Sequence, residues 1–85
     1  MKQPLFAIYD VKAEIYLNAW PARTAAMAIR EFEKLVHDEE HPVGANPLDY
    51  SLWRMGAWDD ENGLTADNPT LIVNGKDVLQ TGATE

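Results

Sequence analysis

Apolar positions recur along this chain with two periods, and the places where the period changes mark its elements. Residues 4–10, PLFAIYD, carry β-branched and aromatic side chains between Pro4 and Asp10, the pattern of a strand. Both faces are apolar: Leu5, Ala7 and Tyr9 on one, Phe6 and Ile8 on the other. Residues 14–20, EIYLNAW, predict a second strand. Its more apolar face holds Ile15, Leu17 and Ala19; Glu14, Tyr16, Asn18 and Trp20 make the amphipathic one. The intervening DVKA is short enough for a hairpin loop, so the two strands are expected to pair antiparallel.

Over residues 24–38, TAAMAIREFEKLVHD, the period becomes that of a helix. Ala25, Ile29, Phe32 and Val36 are four, three and four apart, and Ala28 and Leu35 widen the stripe. Thr24 is placed to cap it, because its hydroxyl can accept from an amide that has no partner in the first turn. Glu31 and Lys34, three apart, can pair weakly. Asp38, Glu39 and Glu40 follow the C-terminus, where the helix dipole favours cations. They leave an acidic end open to a basic partner.

Residues 39–48, EEHPVGANPL, predict a loop. DYSLWRMGAW, 49–58, predicts a third strand, interrupted at Gly56 by a bulge or a close backbone approach. DDENG is a turn, and LTADNP a connector or short edge strand. TLIV, Asn74-Gly75 and KDVLQ together predict a hairpin with a type I′ turn. The expected order is therefore β-β-α-β-β-β. It describes one α+β domain over residues 1–79, an antiparallel sheet of four to five strands with one helix packed on it, and a flexible tail at 80–85. One helix covers one face only, so the other face of the sheet is expected to meet a second copy in a homodimer.

Composition narrows what such a domain can be. The 85 residues are 46% hydrophobic and 25% charged, ordinary for a folded chain. There is no cysteine, which removes disulfides and thiolate metal sites. No apolar run approaches the roughly 20 residues that span a bilayer, and MKQPLFAIYD lacks the apolar core of a signal peptide; an intracellular protein without membrane partners is expected. Seven basic against fourteen acidic residues give a net charge of −7, which repels nucleic-acid phosphates overall.

The candidate chemistry is thin. Counting from Asp59, the twelfth position of a calcium loop falls on Thr70, which cannot supply the bidentate carboxylate. His37 and His41 have helical metal-site spacing, but His41 precedes Pro42, which disfavours helix there. No nucleophile set, phosphate loop, metal site or cofactor motif is present, and a non-enzyme is expected. The aromatics carry the remaining interest. Tyr9, Tyr16, Trp20, Trp53 and Trp58 fall on expected strands, where they either fill a core or interface or stack bases.

Several short stretches bear on that choice. Ile8-Tyr9-Asp10, Lys12-Ala13-Glu14, Ala28-Ile29-Arg30 with Phe32, Pro47 with Asp49-Tyr50 and Leu52, Gly56, and the acidic turn closing at Gly63 occur in an order and spacing that resemble the small nonstructural protein of gokushovirus-type microviruses. These are single-stranded DNA phages, and the resemblance covers roughly residues 5–75. It implies a DNA-binding or early protein in the host bacterial cytoplasm, assisting single-stranded genome synthesis or its handover to packaging, with no catalytic residues.

Two readings stay open. In one, single-stranded DNA lies on an aromatic sheet face, with Tyr16 and Trp53 against bases and Lys12, Arg30 and Arg54 against phosphate. In the other, an acidic adaptor uses Glu39, Glu40, Asp59 and Asp60 to dock on the viral replication initiator, the capsid or a host factor.

Overall fold

Strand β1 (Lys2–Asp10) organises the sheet because both of its faces are apolar and both of its edges are paired. The computed structural model describes residues 1–83. Along one edge β1 runs antiparallel to β4 (Tyr50–Asp59); along the other it meets two short pieces, β2 (Ile15–Tyr16) and β3 (Trp20–Pro21). β4 then pairs antiparallel with β5 (Gly63–Asn74), so the order across the sheet is β2-β1-β4-β5, with β3 beside β2 on the β1 edge.

Three helices lie on one face. α1 (Ala25–Val36) buries Ala28, Phe32 and Val36 against Phe6 and Ile8 of β1 and Leu52 of β4. α2 (Pro42–Ala45) adds Val43, and α3 (Gly75–Ala83) adds Val78. Phe6, Phe32, Leu52 and Val43 are the largest fully buried side chains, and they tie β1, α1, β4 and α2 into one core. The fold is the α+β arrangement expected, an antiparallel sheet with helix α1 packed on it.

α1 begins where its cap was expected. The Met27 amide donates to Thr24 Oγ1 at 3.2 Å, and Lys34 Nζ reaches Glu31 at 3.5 Å. The β1–β2 turn is also locally encoded. Asp10 Oδ1 accepts from the Lys12 and Ala13 amides at 3.0 and 3.2 Å, and Glu14 takes the left-handed conformation that closes the turn.

Three expectations need correction. The strand expected over 14–20 is broken: Leu17–Ala19 lie opposite only Ala7 and Ile8, one residue more than the partner strand offers. A one-residue slip exchanges the faces. Tyr16 therefore stands opposite Tyr9 on the face away from the helices, whereas Trp20 stands opposite Phe6 and packs on the core. The strand amides continue on either side of the break, Leu17 N–H to Ile8 O at 2.7 Å and Ala22 N–H to Pro4 O at 3.1 Å.

The loop expected over 39–48 contains α2 and a 3-10 turn, Pro47–Asp49. Each proline opens its element, where a missing amide costs nothing. His41 caps α2, its Nδ1 accepting from the Val43 amide at 3.1 Å.

The hairpin expected at Asn74-Gly75 does not form. LTADNP and TLIV are one strand, β5, and KDVLQ belongs to α3 rather than to a further strand. The glycine answers a tertiary need: a Cβ on Gly75 would stand 2.0 Å from the Pro47 carbonyl oxygen. α3 extends to Ala83, into the stretch expected as a tail, whose last residues lie outside those described.

Candidate functional site

The face of the sheet turned away from the helices is covered by no element among the described residues. Register fixes its membership, because cross-strand partners share a face and neighbours along a strand do not. Its rows are Gln3–Trp58–Leu64, Leu5–Gly56–Ala66, Ala7–Trp53–Leu71 and Tyr9–Ser51–Asn74, with Tyr16 and Pro21 on the β1 edge. Not one of these positions is Asp, Glu, Lys or Arg, in a chain with fourteen acids and seven bases.

Aromatic contacts organise the middle of this face. The Tyr9 and Tyr16 rings lie 4.7 Å apart, tilted by 54°. Tyr16 meets Trp53 edge to face at 6.3 Å and 89°. Trp53 is held from its own face, its Nε1 donating to the Oγ of buried Ser51, two residues earlier on β4, at 2.8 Å. Ala7 is buried although no helix reaches it, since it sits beside Trp53 in the same row. Toward the edges the face stays open: Tyr16 is 40% exposed, Leu71 44%, Trp58 48% and Leu64 63%.

Gly56 makes this surface continuous through a bulge. Met55 is an extra residue relative to β1, and Asp67–Pro69 lie opposite it on β5. Without the bulge, strict alternation would place Trp53 and Trp58 on opposite faces. With it, both stand on the uncovered one. Pro69 is tolerated because it lies at a bulge of an edge strand.

The structure unites only part of the expected nucleic-acid set. Tyr16 and Trp53 meet. Arg54 follows Trp53 directly and stands opposite Phe6 and Thr70, on the other face of β4. Arg30 is exposed on α1, beyond that same other face. Lys12 lies in the turn four residues before Tyr16, at the end of the sheet. The expected cations are thus distributed over a turn, a helix and the opposite side of a strand.

The expected acidic set is also divided. Glu39 and Glu40 are exposed in the α1–α2 connection. Asp59 and Asp60 close the β4–β5 turn. The Glu61 amide and Asn62 Nδ2 donate to Asp59 at 3.0 and 2.9 Å, and these bonds hold its carboxyl below the usual range. Asp60 bonds to the Met1 amino group. Among the described residues no group of three or more His, Cys, Asp or Glu is placed to hold a metal, and no helix is long and apolar enough to cross a membrane.

A separate cleft of about 450 Å³ opens between β3 and α1, lined by Trp20, Pro21, Ala22, Met27 and Leu35, with Glu31 and Lys34. Trp20 Nε1 is buried there without a hydrogen-bond partner.

Leu64, expected in a connector or short edge strand, and Leu71, expected in a hairpin arm, are members of the uncovered face that the sequence pattern did not bring together. Reading residues 63–74 as one strand, rather than as a connector and a hairpin arm, would have found them.

No curated protein and no solved structure matches the chain. The family model described as phage ORF5 protein matches residues 3–78, from the second residue of β1 into α3, and therefore spans the whole sheet but for Lys2, with both of its faces. A match over that span makes the chain a viral protein, a member of the phage ORF5 protein family.

Proposed function

We propose that the protein is a non-enzymatic accessory protein of a single-stranded DNA phage, of the gokushovirus type, acting in the host bacterial cytoplasm during genome replication or packaging. Its mode is that of an acidic adaptor, which docks on a basic surface of the replication initiator, the capsid or a host factor. The observation that carries this reading is the separation of charge from the aromatic face. The surplus of acids lies on the helices, turns and loops, and the cations do not gather beside the rings. Single-strand binders pair stacking rings with a basic track for the backbone, and this face has the rings alone.

Immobilised protein is expected to retain the phage's initiator or capsid protein. A variant carrying Glu39→Gln, Glu40→Gln, Asp59→Asn and Asp60→Asn is expected to release it. Equal retention by parent and variant removes the acids from the role.

The Tyr16–Trp53 pair favours a second reading, in which single-stranded DNA lies on the uncovered face with bases against these rings. Anisotropy of a labelled oligonucleotide at about 50 mM salt decides it, because phosphate-based binding is strongest at low salt and falls steeply as salt is added. Binding at micromolar protein that is lost in Trp53→Ala supports DNA. No binding leaves the adaptor.

A further inference from the structure

We infer that the uncovered sheet face is covered by the same face of a second copy of this chain, giving a two-fold dimer in which two sheets pack face to face. This inference is independent of the adaptor role, which uses the charged surface.

Three observations select this occupant. The first is charge. Two copies at −7 repel each other wherever their acids meet, and the uncovered face is a broad surface whose register positions carry none. A nucleic acid or a basic peptide gains nothing electrostatic there, whereas a second neutral face meets it without leaving a buried charge unpaired.

The second is size. Four strand positions spaced about 4.8 Å apart, along a ten-residue β4 rising about 3.4 Å per residue, give a face of roughly 20 × 30 Å, or on the order of 600 Å². A stable interface takes about 800 Å² from each partner. The flat outline of the face is thus about three quarters of that area, and protruding rings give the face more accessible surface than its outline.

The third is the distribution of exposure. Trp58, Leu64, Leu71 and Tyr16 are 48%, 63%, 44% and 40% exposed and belong to one contiguous surface. A surface of this kind is the mark of an interaction site. The same patch meeting itself satisfies a two-fold axis, since the residues each copy offers are those its partner needs. Facing sheets pack about 10 Å apart, so the rings of Tyr16, Trp53 and Trp58 would fill the layer between them.

Light scattering and sedimentation equilibrium on the full chain give the test. The unmodified protein is expected to have twice the mass of the chain. Leu64→Lys and Leu71→Lys, at exposed positions of the face, are expected to halve that mass while the circular dichroism spectrum stays unchanged. Leu48→Lys, at an exposed apolar position outside the sheet, is expected to stay dimeric. Tryptophan quenching by acrylamide on the unmodified protein checks the location without any substitution, and it is expected to fall as concentration rises through the dimerisation range. A monomer at all concentrations overturns the inference. So does a dimer that survives both lysine variants, or a doubled mass with no change in quenching. A monomer that gains mass only with added oligonucleotide also overturns it and gives the face to DNA. None of these readings depends on capture of a viral partner, so the dimer and the adaptor role fail separately.

Discussion

Gly56 is the residue on which the uncovered face turns. Its φ of +156° lies where side chains other than glycine rarely go. A Cβ built there would lie 2.2 Å from the Thr65 carbonyl oxygen and 3.1 Å from the Ala66 Cα. Both obstacles are backbone of the paired strand, so no side chain can swing away to make room. Gly56→Ala must then push β5 off β4 or flatten the bulge. We expect a loss of about 1–3 kcal/mol, the usual range for an overpacked or strained site, seen as a lower urea midpoint. An unchanged midpoint would mean that β5 yields freely at this point. A lost bulge also returns Trp53 and Trp58 to opposite faces, so a folded Gly56→Ala should dimerise less well than its stability alone accounts for. The sequence marks this glycine as a bulge or close approach. It does not tell which face the following tryptophan takes, because that depends on how many residues the bulge adds to each strand.

At the scale of elements, α1 was legible and the last third of the chain was not, for one physical reason. The apolar stripe of α1, its threonine cap and its Glu31–Lys34 pair are set by residues within four positions of one another. Thr24→Ala removes the acceptor for the Met27 amide and is expected to cost about 1 kcal/mol. Thr24→Asp restores an acceptor and should recover most of the loss in thermal melts of the three proteins. If Ala and Asp behave alike, the hydroxyl does not contribute. Asn74-Gly75 has the same local grammar as a hairpin, yet the approach of the Pro47 carbonyl to Gly75, far away in sequence, decides the outcome. The strand expected at 14–20 fails in the same way: the extra residue among Leu17–Ala19 is defined only against β1. His41 shows the limit for single side chains, since its capping bond needs Pro42 to open a helix where the proline and glycine content predicts a loop. Of the uncovered face, Tyr16, Trp53 and Trp58 are marked by the sequence as strand aromatics, but their shared face is set by the register of three strands. Its other half, Leu64 and Leu71, lies on β5, whose continuity through the bulge at Asp67–Pro69 is set by pairing with β4 and not by local pattern.

For the molecule as a whole, the arrangement of charge matters more than its total. An apolar seam between two copies brings two bodies of −7 together, and the surrounding acids oppose the approach. The screening length falls from about 10 Å at 0.1 M salt to about 3 Å at 1 M, so added salt weakens the opposition and leaves the apolar contact intact. Dimerisation is therefore expected to tighten several-fold between ~20 mM and ~500 mM sodium chloride, a range over which the screening length shortens about five-fold, as read by sedimentation equilibrium. Docking on a basic partner should weaken over the same range, because its attraction is screened, and phosphate binding should weaken more steeply still. One titration series thus separates the two surfaces by the sign of their response. A dimer that loosens with salt would mean that ion pairs hold the copies together, and the charge-free face would then have to be the surface left open to a ligand.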